Sequence, residues 1–167
     1  MLLMAKSLKE LRFRELMDVY ADSVAREASQ CRDLPQGLAI QLAEQDMYQY
    51  LKDVFFRISG AICAVWQEEG LYVSALRLEP YRDGLLLAAL ETAPAARKKG
   101  YASILVREVQ DWLRQQGDLK LYSHVGKHNT ASLKTHFACG FVKISDYAVY
   151  LDGSVDHRCC TMLYEIK

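Results

Sequence analysis

The sequence carries no net charge. Lys and Arg together number 21, and so do Asp and Glu, among 167 residues. A chain without excess positive charge has no long-range field that attracts nucleic acid or an anionic membrane. We therefore expect neither as a partner, and any site for an anion has to be built locally.

Long apolar runs and closely paired cysteines are also missing. No stretch approaches the ~20 apolar residues that span a bilayer. The apolar residues 1–4 are followed by Lys6, so this start is too short for a signal sequence. The five cysteines are an odd number and include no C-x-x-C pair. Reduced thiols and a cytoplasmic protein are therefore expected.

Length and composition are those of one globular domain. Apolar residues make up 51% of the chain and charged residues 25%, which is ordinary for a folded protein. A chain of this size buries roughly 70% of the surface that its unfolded form exposes. We expect a single domain over residues 1–167, without internal repeats or a linker.

Residue periodicity predicts a mixed α/β order. The first third is expected to form two helices, over residues 7–28 and, after a break at 33–37, to about 53, and no strand is predicted there. The predicted strands lie at 61–66, 72–78, 85–90, 119–125, 141–151 and 158–166. Between them, one helix follows Gly100 as far as Gly117, and another runs from Asn129 to Gly140.

The stretch after Pro94 places three cations and a glycine at the start of a predicted helix. The first N–H groups of a helix have no partner within the helix, and the helix dipole makes that end partly positive. A glycine lets a phosphate approach the backbone without a Cβ in the way. The pattern is neither a P-loop nor a dinucleotide fingerprint, because further glycines are missing. Taken alone, it fits a solvated turn as well as an anion site.

Two motifs together resemble those of the GCN5-related N-acetyltransferase (GNAT) family. The first has the form [Q/R]-x-x-G-x-[G/A]. Its residues are Arg97, Lys98, Lys99, Gly100, Tyr101 and Ala102. The second resembles the N-x-x-[A/S]…G-F helix of the family, with Asn129, Ser132, Gly140 and Phe141 at the matching positions. The resemblance extends from about residue 66 to residue 141.

The resemblance implies a fold and a co-substrate. The fold would be a mixed, mostly antiparallel twisted sheet flanked by helices and splayed between its fourth and fifth strands, with acetyl-CoA in the cleft. Backbone groups near Leu90 and Thr92 would orient the thioester, and the amides of residues 97–102 would hold the pyrophosphate. Asn129 and Ser132 would lie beside the pantetheine arm. Residues 1–57 would form a helical acceptor-side region, 58–145 the acetyl-CoA-binding core and 146–167 a C-terminal hairpin.

The implied activity is transfer of an acetyl group to a primary amine. A lysine-like amine has a pKa of ~10.4, so a base has to take up its proton at pH 7, and the departing thiolate benefits from an acid. The family often places a tyrosine acid four residues before the glycine of the second motif, where this chain has His136. His136 is the candidate acid, and Tyr147 and Tyr150 are alternative donors. The alternative for His136 is a helix-surface residue.

The sequence indicates less clearly which residue takes up the proton of the amine. Leu86 and Ala88 stand where family members carry a base, and both are apolar. Glu91 is the nearest carboxylate, although strand alternation turns it away from Leu90 and Thr92. Glu79 and His124 are further candidates.

The spacing of the histidines fits no compact zinc pattern, so no metal is expected. The implied mechanism is direct attack in a ternary complex of enzyme, acetyl-CoA and amine. The alternative function is a non-catalytic acyl-CoA-binding module. The sequence does not indicate the amine acceptor, and it allows a homodimer.

Overall fold

The computed structural model describes residues 1–117 and 119–167. The helices are α1 (Phe13–Val19), α2 (Ala21–Ala28), α3 (Gln36–Asp53), α4 (Tyr101–Arg114) and α5 (Thr130–Ala138). Short 3-10 turns occupy Leu8–Glu10, Phe55–Arg57 and Pro94–Ala96. The strands are β1 (Leu2–Ala5), β2 (Ile62–Glu68), β3 (Leu71–Tyr81), β4 (Gly84–Thr92), β5 (Leu119–Gly126), β6 (Val142–Ser145), β7 (Ala148–Val149), β8 (Val155–Asp156) and β9 (Cys159–Ile166).

The strands form one mixed sheet of seven and a separate small hairpin. The order in the large sheet is β1-β2-β3-β4-β5-β9-β6, and β7 pairs with β8. Within the large sheet β4 and β5 run parallel, and the other neighbouring strands are antiparallel. This arrangement confirms the expected mixed, mostly antiparallel sheet flanked by helices.

The prediction that the first third contains no strand is wrong. Leu2–Ala5 forms an edge strand that pairs with β2, with Leu2 opposite Trp66 and Ala5 opposite Cys63. Its residues are all apolar, so the alternation that identifies a half-buried strand is absent from this stretch. Pairing with β2, which is distant in sequence, decides its conformation.

The helix predicted over residues 7–28 is divided into three pieces. A 3-10 turn is followed by α1 and α2, which meet at Tyr20 with φ −86° and ψ 23°. The side chain of Tyr20 is buried in the core between the sheet and the helices α1, α2 and α3. No glycine or proline marks the bend, so the sequence gives no local signal for it.

The strand predicted over residues 141–151 is also divided. β6 pairs with β9, whereas β7 pairs with β8 in the small hairpin. The Tyr81 hydroxyl donates to the carbonyl oxygen of Val149, and the Thr161 hydroxyl donates to that of Tyr147 at 2.8 Å. These two bonds hold the hairpin against the sheet. The last strand, β9, lies inside the sheet between β5 and β6.

Apolar side chains cover both faces of the sheet. One cluster lies under α1, α2 and α3 and includes Leu16, Phe55 and Ala75. The other lies under α4 and α5 and includes Leu76 and Leu105. The neighbours Ala75 and Leu76 belong to opposite clusters because successive side chains of a strand point to opposite faces.

The sheet opens between β4 and β5. Their pairing runs from Gly84 opposite Lys120 to Leu87 opposite Ser123 and stops there, although both strands continue. A bulge follows in β4, because the β3 pairing moves from Arg77 opposite Ala88 to Ala75 opposite Glu91. Ala89, inside the bulge, has φ 51°. A bulge bends and twists its strand, so the far half of β4 turns away from β5 and leaves a cleft.

Gly84 sets the distance between β4 and β5 at the closed end of the cleft. A Cβ on Gly84 would overlap the backbone carbonyl of Lys120. We expect Gly84→Ala to lower the free energy of unfolding by about 1–3 kcal/mol, as overpacking does. The control is Gly37→Ala in α3, where a Cβ meets nothing within 4 Å and helix propensity should raise stability by up to about 1 kcal/mol. Urea unfolding measures the free energy of unfolding of both variants. Equal values for the Gly84→Ala and Gly37→Ala proteins would contradict the predicted close approach at Gly84.

Candidate functional site

The opening between β4 and β5 leads into a cleft of about 880 Å³. The far half of β4 forms one wall and the end of β5 the other, and residues of α2, α4, α5 and the loop before α4 complete the lining. Nine of the ten residues predicted to bind the cofactor line this one cleft. They are Leu90, Thr92, Arg97, Lys98, Gly100, Tyr101, Ala102, Asn129 and Ser132. Lys99 is exposed and does not line the cleft.

The loop before α4 is shaped for an anion. Lys98 and Gly100 both have left-handed backbone conformations, with φ of 62° and 81°. Gly100 precedes the first residue of α4, and no side chain caps this helix end. Within the described part of the chain, the backbone N–H groups of Tyr101, Ala102 and Ser103 donate to no acceptor. Such free N–H groups at a helix start are suited to bind phosphate oxygens.

The three cations of the loop have different roles. The Arg97 guanidinium pairs with the Asp22 carboxylate of α2 at 2.5 Å and donates to the carbonyl oxygen of Thr92 at 3.3 Å. Lys98 and Lys99 are exposed and form no ion pair with any described residue. Arg97 therefore ties the loop to α2 and β4, and Lys98 leaves its charge available at the mouth of the cleft.

The far half of β4 has no strand partner on the side that faces β5. No residue of β5 pairs with residues 88–92 of β4. Ala89 and Lys98 are two of the few non-glycine residues with positive φ, and both line the cleft. Such conformations cost on the order of 1 kcal/mol each and concentrate at ligand sites.

Helix α5 is fixed at both ends. The Asn129 side chain accepts a hydrogen bond from the Ser132 N–H at 3.1 Å, which confirms the predicted cap. At the other end, Arg107 and Gln110 of α4 donate to the carbonyl oxygens of Ala138 and Cys139, at 3.1 and 2.8 Å. These bonds satisfy carbonyls that have no partner within the helix and hold α5 beside the cleft.

His136 is a buried residue and not the helix-surface histidine considered above. It is 1% exposed and lines the cleft. Its Nδ1 lies 2.8 Å from the carbonyl oxygen of Ser132, and its ring meets that of Phe141 edge to face at 4.9 Å. Burial lowers the pKa of His136, although the bond to Ser132 opposes this. An acid that works near pH 8 needs a raised pKa, so this environment does not support the predicted acid role.

Glu91 lies on the α2 side of the cleft. The Ser23 hydroxyl of α2 donates to its Oε1, while its Oε2 is buried and has no partner among the described residues. Burial raises the pKa of Glu91, and the hydrogen bonds from Ser23 partly offset this rise. Successive side chains of a strand point to opposite faces of the sheet. Leu90 packs in the cluster under α4 and α5, so its neighbour Glu91 is expected on the α2 side. Glu91 is thus a carboxylate with a free oxygen at the wall of the cleft.

Of the other predicted proton donors and bases, His124 lines the cleft and Tyr147 lies outside it, next to the small hairpin. His124 lines the cleft with its ring edge to face against Tyr81 and Tyr150, at 5.3 Å from each. Both of its nitrogens lack partners in the described chain, and burial lowers its pKa. Tyr147, predicted as an alternative acid, lies outside the cleft. It is 45% exposed, and its ring centre lies 5.8 Å from that of His157.

No three His, Cys, Asp or Glu side chains among residues 1–117 and 119–167 come together in a group able to hold a metal ion. None of the helices described above is long and apolar enough to cross a bilayer.

The fold and the cleft identify the class of the protein. The model of the acetyltransferase (GNAT) family matches residues 22–141, well over half of the chain. The chain therefore belongs to the GNAT family of acetyltransferases. A curated relative, aminoglycoside N(6′)-acetyltransferase type 1 of Serratia marcescens, is 36% identical over 64 residues. That alignment spans 38% of this chain and less than half, 44%, of the relative.

Solved structures of the same fold cover nearly the whole chain. The PaiA N-acetyltransferase of Thermoplasma acidophilum in complex with coenzyme A aligns with a TM-score of 0.65 and 15% identity, over 99% of both chains. YncA of Salmonella typhimurium with its cofactor acetyl-CoA aligns with a TM-score of 0.60 and 16% identity, over 100% of this chain and 95% of the other. At these identities the likeness concerns the fold.

Sequence reasoning missed the contribution of α2. Asp22, Ser23 and Arg26 line the cleft beside Glu91. Their spacing places Asp22 and Arg26 on one polar face of a helix, which is the only signal that the sequence offered. A polar helix face usually meets solvent, so this signal could not be separated from an ordinary surface.

The raised pKa of Glu91 predicts how stability depends on pH. The folded carboxyl holds its proton more tightly than the unfolded one, whose ordinary pKa is 4.5. The protonated Glu91 side chain therefore contributes fully to stability below pH 4.5. This contribution is lost as the pH rises through the pKa of Glu91 in the folded protein. We expect Glu91→Gln to raise the thermal midpoint at pH 7 and to change it little at pH 4. Glu108→Gln, on the exposed face of α4, is the control. An equal effect of Glu91→Gln at both pH values would contradict this.

Proposed function

We propose that the chain is an N-acetyltransferase that transfers the acetyl group of acetyl-CoA to a primary amine. The observation that carries this proposal is the set of unpartnered N–H groups at the start of α4, at the mouth of a cleft between splayed strands. Family membership supports the same reaction class. The solved relatives with coenzyme A and acetyl-CoA support acetyl-CoA as the co-substrate.

The cofactor is proposed to lie along the cleft from α4 to β4. The amides of Tyr101, Ala102 and Ser103 bind the pyrophosphate, and Lys98 adds positive charge. The pantetheine arm enters between β4 and β5, beside Asn129 and Ser132 on α5. Unpaired backbone groups of β4 near Leu90 and Thr92 orient the thioester. A thioester held in this way meets the amine in one orientation, which supplies a large part of the rate.

The amine acceptor is proposed to approach from the α2 side. There Glu91 takes up a proton from the ammonium form of the acceptor, which leaves the free amine. The free amine attacks the thioester carbonyl carbon, the C–N bond forms, and the C–S bond breaks with its electron pair on sulfur. The second amine proton passes to the thiolate through water. A base with a raised pKa is better matched to an amine than an ordinary carboxylate. No acetyl-enzyme intermediate is needed, since both reactants occupy one ternary complex.

The curated relative suggests the first acceptors to test. Its name assigns it an aminoglycoside N(6′) amine, so amino sugars of this kind belong in the first screen beside polyamines, amino acids and peptides. A non-catalytic acyl-CoA-binding module is the alternative function. It predicts cofactor binding without release of free coenzyme A. A cytoplasmic location and a homodimer stay predictions.

Cofactor binding at the loop before α4 is tested by Gly100→Val. Valine is strongly disfavoured at φ 81° and would place its side chain where phosphate approaches. We expect acetyl-CoA affinity to fall by well over tenfold in calorimetry. Gly153→Val is the matched control, since Gly153 has φ 84° in the remote hairpin and equally open surroundings. It should lose stability and keep its affinity. Unchanged affinity in the Gly100 variant would rule out this site.

The proposed role of Glu91 as the base is tested by measuring the rate of acetyl transfer. With an amine that the wild type acetylates, Glu91→Gln should lower kcat by about tenfold to a hundredfold, the range for loss of one proton-transfer group. Glu79→Gln, which removes another candidate base on β3, should have little effect. Release of coenzyme A thiol, followed at pH 7 and 8, measures both. If Glu91→Gln retains full activity, the proton passes to another group or to water. If the wild type binds acetyl-CoA but acetylates no amine in the screen, the binding-module alternative holds.

A further inference from the structure

The hydrogen bonds of His136 fix the position of its proton. Nδ1 lies 2.8 Å from the carbonyl oxygen of Ser132, and a carbonyl oxygen only accepts. Nδ1 therefore carries the hydrogen, although the Ser132 hydroxyl also lies within 3.3 Å of it. In the neutral ring the other nitrogen, Nε2, has a lone pair and no hydrogen. In this tautomer, Nε2 accepts a hydrogen bond and cannot donate one.

Nε2 has no partner among the described residues, although His136 is almost completely buried. A buried acceptor without a donor costs free energy, and such atoms in native proteins are usually satisfied by water or by a ligand. The Phe141 ring, at 4.9 Å, offers no N–H or O–H donor. The face of α5 that carries His136 lines the cleft together with Asn129 and Ser132. The missing donor is therefore expected to come from a molecule in the cleft.

We propose that His136 is a binding residue for the cofactor arm, in which Nε2 accepts a hydrogen bond from an amide N–H of bound coenzyme A. The inference rests on the proposed function, because it takes acyl-CoA as the ligand. The pantetheine arm contains secondary amides, and its route between β4 and β5 passes the α5 face. His136 then contributes to affinity and position, and the thiolate receives its proton from the attacking amine.

The alternative, a proton donor, requires an imidazolium. Burial lowers the pKa of His136 and disfavours that form, although the hydrogen bond to the Ser132 carbonyl opposes this. The imidazolium also has no lone pair on Nε2. A proton on Nε2 therefore removes the proposed hydrogen bond, so the two roles predict opposite behaviour as the pH falls.

The test compares His136→Phe with His136→Gln, whose side-chain carbonyl oxygen can still accept. Calorimetry with coenzyme A should show affinity reduced about three- to tenfold in the Phe variant, the range for one hydrogen bond, and largely retained in the Gln variant. Adenosine 3′,5′-bisphosphate, which lacks the pantetheine arm, should bind all three proteins equally. This probe also shows that the variants are folded. With an active amine, the Phe variant should show a larger rise in KM for acetyl-CoA than fall in kcat.

A spectroscopic readout addresses the tautomer directly. Nitrogen-15 spectra of the histidine rings should show His136 protonated on Nδ1 and bare on Nε2 at pH 7, with a shift of the Nε2 signal when coenzyme A binds. An Nε2–H tautomer, or full coenzyme A affinity in the Phe variant with a loss confined to kcat, would overturn the proposal in favour of an acid. Failure of every protein to bind either probe would instead count against the proposed function itself.

Discussion

The parallel pairing of β4 with β5 is the constraint on which the site depends. Four residue pairs, from Gly84 opposite Lys120 to Leu87 opposite Ser123, hold the two strands together, and a bulge at Ala89 then separates them. Without the close approach at Gly84 the strands would not converge, and without the bulge they would not part. The cleft is therefore a consequence of backbone pairing. Beyond Leu87, β4 has no strand partner on the side that faces β5, so its backbone groups on that side are not used in the sheet.

The helices complete the cleft by presenting their ends and one polar face. The start of α4 offers N–H groups, and α5 is held in place by Arg107 and Gln110 of α4. Arg97 connects this cofactor side to α2 through Asp22.

Three of the four residues with unsatisfied buried side-chain atoms in the described chain lie in the same region, and Tyr20 is the fourth. Glu91, His124 and His136 each have at least one buried side-chain atom without a partner in the described chain, and all three line the cleft. Folding alone gives no reason to leave these atoms unpaired, because each costs free energy. The raised pKa of Glu91 has the same origin, since burial without a full set of donors disfavours the carboxylate. Stability is reduced where the ligands are proposed to bind.

The sequence by itself determined the features that depend on neighbouring residues. The loop of residues 97–102, the Asn129 cap and the alternation that turns Glu91 from Leu90 are local, because backbone geometry within a few residues fixes them. Tertiary structure decided the rest. β1 pairs with a strand about sixty residues away, and the chain bends between α1 and α2 at Tyr20, whose side chain is buried in the core. The burial of His136 against Phe141 and the position of Tyr147 beside His157, outside the cleft, are tertiary features too. Burial sets pKa and hydrogen-bond partners, so the chemistry of these side chains could not be derived from their place in the sequence.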